Sequence, residues 1–286
     1  SFRSALASFQ GTLQALADPS NYSISKGSVE DPLVASMTTT SSATPGSYSF
    51  EVTSLAKPQK LVSGVYASVT DTVGTGSLTI QYGAYDNTNN ANQWTLNGAR
   101  ATQSVQIDVA HSSVQGVRDA INAANIGVTA NIVNDGTGFR LVVSSKDTGS
   151  VNGLKISVGG DGSGDTDTTG LSQLSYDPTL TAGTGKNMTE IMAAQDAKMI
   201  VDGLAVTKSS NTITDVIAGA TINLLKTNIG SPTKLNITAD ASAVFTTVDS
   251  FAKAYNELNK TITDLTKYNA ETGSSSPLQG DPSIRS

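Results

Sequence analysis

The 286 residues carry 24 acidic and 18 scattered basic side chains, a net charge of −6, which argues against nucleic acid, whose binding rests on clustered Lys and Arg. The absence of cysteine excludes disulfide frameworks, thiolate metal sites and cysteine nucleophiles together. Aromatic residues make up only 5% and hydrophobic residues 37%, so each core must be thin, built of Val, Ile, Leu and Ala, and better suited to several small sheets than to one large globule.

In chain order, the first element is a helix. Phe2, Leu6, Phe9, Leu13 and Leu16 are spaced 4, 3, 4, 3, an a/d seam, and the helix is expected to stop at Ala17 because Asp18-Pro19 disfavours helical backbone. Two β segments follow, Val34 to Met37 and Tyr48 to Val52, around a polar loop closed by Pro45-Gly46. From about Val62 the punctuation changes. Strands are expected at Ser77 to Tyr82 and Val105 to Val109, with an Asn-rich loop from Asp86 to Asn92 between them. Ser113 then stands to cap a helix carrying Val114, Val117, Ile121 and Ala124. A hairpin follows, with Val128, Ala130 and Ile132 on one strand, Phe139, Leu141 and Val143 on the other, and Asn134-Asp135-Gly136 joining them. This αββ unit, 113–145, reads as a helix laid over the apolar face of its own hairpin.

Lys198 to Val201, the Asp202-Gly203 turn and Leu204 to Val206 predict another hairpin. Ile213, Val216 and Ile217 predict a short helical turn ended by Gly219, followed by strands at Thr221 to Lys226 and Lys234 to Thr238. Val244, Val248, Phe251, Tyr255, Leu258, Ile262 and Leu265 then restore the heptad, in a helix starting at Asp240 or Ser242 and reaching about Tyr268. An isolated helix of about 16 residues is marginal in water, so the first needs a partner, and the last is the nearest. Ordinary amphipathic helices packing locally would show the same positions. The twelve seam residues are the candidate interaction site.

The expected fold class is α+β and multidomain, with a helical stem from both chain ends and two nested, mainly antiparallel β domains. The stem takes 1–18 plus 241–286, the first β domain 19–62 plus 195–240, and the second, inserted in the first, 63–194. The chain opens at Ser1 in mid-heptad and is expected to be a piece of a longer protein, without a signal peptide of its own. No apolar run is long enough to span a bilayer.

Chemistry finds little support. In the run Gly159 to Asp167, read as a calcium loop from Asp161, Thr166 replaces the turn glycine and Ser172 the bidentate Glu. Gly183-Thr184-Gly185-Lys186 lacks phosphate-loop spacing. His111, the single histidine, has Asp108 and Ser112 beside it in sequence, which does not orient a base across space, and it reads as a surface residue. Trp94, the single tryptophan, lies in a polar loop and reads as a small-core anchor rather than a sugar platform. No catalytic residue, cofactor site or metal ligand is expected, and no enzyme activity.

Three stretches carry a resemblance. Ala43-Thr44-Pro45-Gly46-Ser47-Tyr48-Ser49-Phe50-Glu51-Val52 through Leu55-Ala56 resembles an early signature of the flagellar filament cap family, hook-associated protein 2. Ala120-Ile121-Asn122-Ala123-Ala124 through Asn134-Asp135-Gly136 resembles the Ile-Asn repeat shared by flagellins and hook-associated proteins. Val201-Asp202-Gly203, Asn211 to Thr221, Tyr255-Asn256-Glu257-Leu258 and Tyr268 to Asp281 are similar to the C-terminal half of the cap family. The resemblance implies a leg domain formed by both chain ends and β domains that build a plate. It further implies a ring of several copies at the growing filament tip, outside the cell after secretion, retaining exported flagellin while it folds and inserts. Implied partners are further copies of itself, flagellin and the filament tip, hook–filament junction proteins and an export chaperone, with no nucleic acid and no membrane. A surface adhesin for host glycans or mucus, or another axial flagellar protein, are the competing readings.

Overall fold

The computed structural model describes residues 2–18, 25–162, 165, 167–266, 268–269 and 274–275. Helix α1 (Phe2–Ala17) is followed by β1 (Ser25–Val29), β2 (Ala35–Thr39), β3 (Gly46–Ser54), β4 (Lys60–Val62), β5 (Gly76–Asp86), β6 (Gln93–Leu96) and β7 (Gln103–Ile107). Helix α2 (Val114–Ala124) precedes β8 (Val128–Asn134), β9 (Phe139–Ser145), β10 (Gly153–Gly159) and β11 (Thr189–Met192). The chain closes with β12 (Ala197–Val201), β13 (Leu204–Lys208), β14 (Thr212–Ile213), β15 (Ala220–Leu224), β16 (Thr233–Ala239) and helix α3 (Ala241–Thr266), then a short antiparallel pair, Tyr268–Asn269 with Ser274–Ser275.

Among the described residues two hydrophobic cores form, and they share no residue. The outer body packs a five-stranded antiparallel sheet, β1-β16-β3-β12-β13, with a three-stranded one, β14-β15-β2. Its core joins Phe50 and Val52 of β3 to Met199 and Val201 of β12, Leu235 and Ile237 of β16, and Ile222 and Leu224 of β15. Alternation along β3 is what turns Phe50 and Val52 inward together. The inner body is built on β5. That strand pairs β10 along one edge, and β7 then β6 along the other, while β11-β4-β9-β8 forms a second antiparallel sheet. Leu78, Ile80 and Tyr82 of β5 meet Leu141, Val143, Val128, Ala130, Leu154 and Ile156, and α2 adds Val114, Val117 and Ile121.

The chain passes from the outer core to the inner one after Ala56 and returns before Ala197. The two crossings lie side by side, with the Lys57 N–H donating to the Gln195 carbonyl at 2.8 Å and the Gln195 N–H to the Lys57 carbonyl at 3.0 Å. The Asp202-Gly203 hairpin has φ of 48° and 83° at its two central residues, the mirror-image turn that matches strand twist.

Several sequence expectations are corrected. The strand at Val105 stops at Ile107, because Asp108 accepts from the His111 N–H at 3.0 Å and starts a tight turn that leaves Val109 83% exposed. No helical turn forms at Ile213 to Gly219. Thr212 and Ile213 pair with β15 instead, and Ile213 and Ile217 are buried in the outer core. So short a segment offers fewer helical hydrogen bonds than nucleation costs. Trp94 lies on edge strand β6 rather than in a loop, and α3 ends at Thr266, two residues before Tyr268. Strands β1, β4 and β11 carry too little apolar alternation to announce themselves and are recruited by their partners, whereas β10, which sequence reading passed over, does alternate, with Leu154, Ile156 and Val158 in the inner core.

Candidate functional site

Helices α1 and α3 bring the two seams together around one aromatic cluster. The Phe9 ring centroid lies 5.5 Å from that of Phe251 and 6.2 Å from that of Tyr255, and Phe251 and Tyr255 stack at 6.5 Å. Of the twelve seam residues, Phe2, Leu6, Phe9, Leu16, Val244, Phe251, Leu258, Ile262 and Leu265 are half-buried. Leu13, Val248 and Tyr255 stay 47%, 46% and 49% exposed. The row Val244, Phe251, Leu258, Leu265 is the more covered one on α3. The row beside it is partly open and is extended by Phe245, 73% exposed. A helix pair covers each seam from one side only, so none of the twelve reaches full burial.

Helix α3 is rich in hydroxyls, and several of these bond back along it. Thr246, Ser250, Thr263 and Thr266 each donate to the carbonyl four residues back, at 2.8 to 2.9 Å. At its start the Ser242 N–H donates to Asp240 Oδ1 at 3.0 Å, so of the two candidate caps Asp240 fills the role.

The αββ unit is built as its sequence suggests, with the Gly116 N–H donating to Ser113 Oγ at 3.1 Å. Its Ile-Asn pair has two separate tasks. Ile121 enters the core, while Asn122 donates to the Ala130 carbonyl and accepts from the Ala130 N–H, both at 2.8 Å. Strand β8 is the edge of its sheet, so Asn122 supplies the bonds that a next strand would have made. Asparagine does the same elsewhere. Asn211 holds the N–H and carbonyl of Ala56 at 2.7 and 3.0 Å, and Asn228 accepts from the Val52 N–H at 2.6 Å. Sequence reading missed these clamps because asparagine near a turn reads as a turn former.

The end of α2 borders an open cleft of about 530 Å³ lined by Arg100, Asn125, Gly127, Lys146 and Asp147. Two of its charges pair with each other, and the third bonds a neutral amide. Arg100 pairs with Asp147 and covers the Tyr82 ring at 4.2 Å, and Lys146 Nζ donates to Asn125 Oδ1 at 2.7 Å. Burial pushes up the Tyr82 phenol, which donates to the Ile126 carbonyl and is not poised to lose its proton.

The remaining sequence candidates are structural. His111 Nδ1 lies 2.7 Å from Asp108 Oδ1 on the surface, a side-chain contact that adds to the Asp108 cap. Trp94 lays its ring over Gly83 on the next strand, where a Cβ would come within 2.7 Å of it. In the Gly159 to Asp167 run, Ser163, Gly164 and Thr166 lie outside the described residues. Asp161 accepts from Ser172 Oγ at 2.5 Å and Asp165 from the Val158 N–H at 2.6 Å. Among the described residues no group of three or more His, Asp or Glu could hold a metal, and no helix is long and apolar enough to cross a membrane.

Residues 1–59 match the family described as the flagellar hook-associated protein 2 N-terminus, and residues 194–286 its C-terminus. The chain is 33% identical over 296 residues to the B-type flagellar hook-associated protein 2 of Pseudomonas aeruginosa PAO1, covering 99% of this chain and 58% of that protein. It is 34% identical over 295 residues to the flagellar hook-associated protein 2 of Escherichia coli K12, again covering 99% and 58%. It thus spans somewhat more than half the length of these relatives. Among solved structures, the D1-D2-D3 domains of the Escherichia coli flagellar cap protein FliD superpose with a TM-score of 0.76 at 33% identity, over 99% of this chain and 72% of that one. The structure from Pseudomonas aeruginosa PAO1 gives 0.65 at 31%, over 83% and 98%. Sequence matches at both ends, and a fold shared across the nested middle, lead to one assignment: this chain belongs to the flagellar hook-associated protein 2 family.

Proposed function

We propose that this chain is the body of a subunit that caps the distal tip of the bacterial flagellar filament. The observation that carries the reading is the joint match: α1, both β bodies and α3 correspond together to a solved flagellar cap protein over 99% of the chain. In this reading 1–18 plus 241–286 form the leg, and the expected first β domain, 19–62 plus 195–240, gives up 57–62 to the expected second, 63–194, because β4 pairs with β9 and Leu61 enters the inner core. Several copies make a ring whose legs contact the filament lattice, and the β domains form a plate that retains exported flagellin while it folds and inserts. The twelve seam residues hold the leg together, and the open row Phe245, Val248, Tyr255 with Leu13 is the part left for a neighbouring helix. The work is steric, not catalytic. Partners are other copies, flagellin and the filament tip, with hook–filament junction proteins and an export chaperone met on the way out of the cell.

Complementation tests this. A cap-deficient strain given the full-length protein should regain filaments and stop shedding flagellin monomer into the medium. Continued shedding at normal protein levels overturns the reading.

A further inference from the structure

Among the described residues the chain crosses the joint between the two β bodies only at Lys57 and Gln195, and two adjacent crossings make an axis, not a fixed angle. Each side of the axis is anchored. On the outer body Asn211 clamps Ala56, and Gln195 Nε2 donates to the Leu55 carbonyl at 2.9 Å. On the inner body the buried Gln59 accepts from the Leu154 N–H at 2.5 Å and donates to Glu190. Between the two sets of anchors lie Lys57-Pro58 and Ala193-Ala194.

A third contact closes the joint. The inner-body loop after β9 reaches across to the outer body. There Thr148 Oγ1 donates to the Ser209 carbonyl at 2.7 Å, and the Gly149 N–H donates to the Lys57 carbonyl at 3.2 Å. The Ser150 N–H and Oγ donate to the two carboxylate oxygens of Asp196, each at 2.7 Å. Gly149 has φ of 102°, and a Cβ there would stand 2.5 Å from Ser209 Cβ, so this approach requires glycine twice over. No residue of either core takes part in this contact. Hydrogen bonds of this kind exchange readily with water, unlike buried apolar area.

We propose that the loop at 148–150 is a latch that fixes the angle between the two β bodies, with Asp196 as its positioning residue. Engaged, it holds one orientation. Released, the inner body swings about the Lys57–Gln195 pair while both cores stay folded.

The cysteine-free chain permits a clean test. Spin labels at Ser28→Cys on the outer body and Asn131→Cys on the inner body, both exposed, report the inter-body distance by pulsed electron resonance. The parent should give one narrow distribution. Asp196→Ala should broaden it about twofold or more, and Gly149→Val should do so independently by forcing the loop off Ser209. Asp196→Asn, which can still bond Ser150, should stay narrow. Unchanged distributions in both Asp196→Ala and Gly149→Val, with circular dichroism confirming the fold, overturn the proposal. The readout is a distance within one chain, so its failure is distinct from a failure of the capping reading.

Discussion

Asn122 closes the free side of β8 with two 2.8 Å bonds to one residue, Ala130, which is itself in the inner core. Net worth is about 0.5 to 1.5 kcal/mol per bond, so Asn122→Ala should cost the inner body about 1 to 3 kcal/mol in urea unfolding. Asn122→Asp keeps the acceptor and loses the donor, and should fall between. Ionisable pairs give a second prediction. Burial alone would raise Asp177, but bonds from the Lys155 ammonium and from Thr179 outweigh it and hold the carboxyl below its usual value. Such a carboxylate contributes stability above its unfolded value, and that stability is lost as pH falls through the lower folded value. Lys155→Met removes the counter-charge, so acid unfolding of the inner body, followed by circular dichroism, should begin at higher pH. Asp165 runs the other way. Burial, with Asp161 and Asp177 nearby, raises it, so it favours the folded state more as pH falls and blunts the total slope. None of these residue-scale roles was legible in the sequence. Which backbone an asparagine reaches is decided by tertiary placement, not by its neighbours in the chain.

At the scale of elements, the heptads were readable because a 4, 3 spacing sustained over several turns places every apolar side chain on one stripe of a helix and on no single face of a strand. What the spacing did not tell is how unequally the rows are covered. Leu258 is half-buried whereas Leu13 is 47% exposed, so a charge costs more at the first than at the second. Leu258→Asp should lower helicity and the melting temperature of the helix pair, with a loss of about 1 to 3 kcal/mol, and Leu13→Asp should cost about half that or less. Equal effects at both positions would mean that the seam is filled from both sides in solution. The αββ unit was legible for a related reason: cap, helix period and hairpin turn agree over a short stretch. Strands such as β1, with the sequence Ser-Lys-Gly-Ser-Val, were not, since they are strands only because β16 offers them a ladder.

For the whole molecule, a seam at each end, together with changed punctuation in the middle, made the nested order legible. The pairing was not. Phe50 finds its cross-strand neighbours at Val201 and Thr233, and no local pattern encodes separations of that length. Because the two cores share no residue, calorimetry of the chain should resolve more than one unfolding transition. Asn122→Ala should move only the transition of the inner body, and a single transition moved as a whole would contradict this. The paired crossings at Lys57 and Gln195 carry one more consequence. Both termini of the inner body leave the outer sheet at a single spot, so evolution or an engineer meets it as a cassette. It could be deleted with a tight turn left in its place, or exchanged for a foreign fold whose ends also meet, without the foundation sheet changing register. Substitutions on the outward surface of the cassette are thereby uncoupled from the folding of the sheet that carries it.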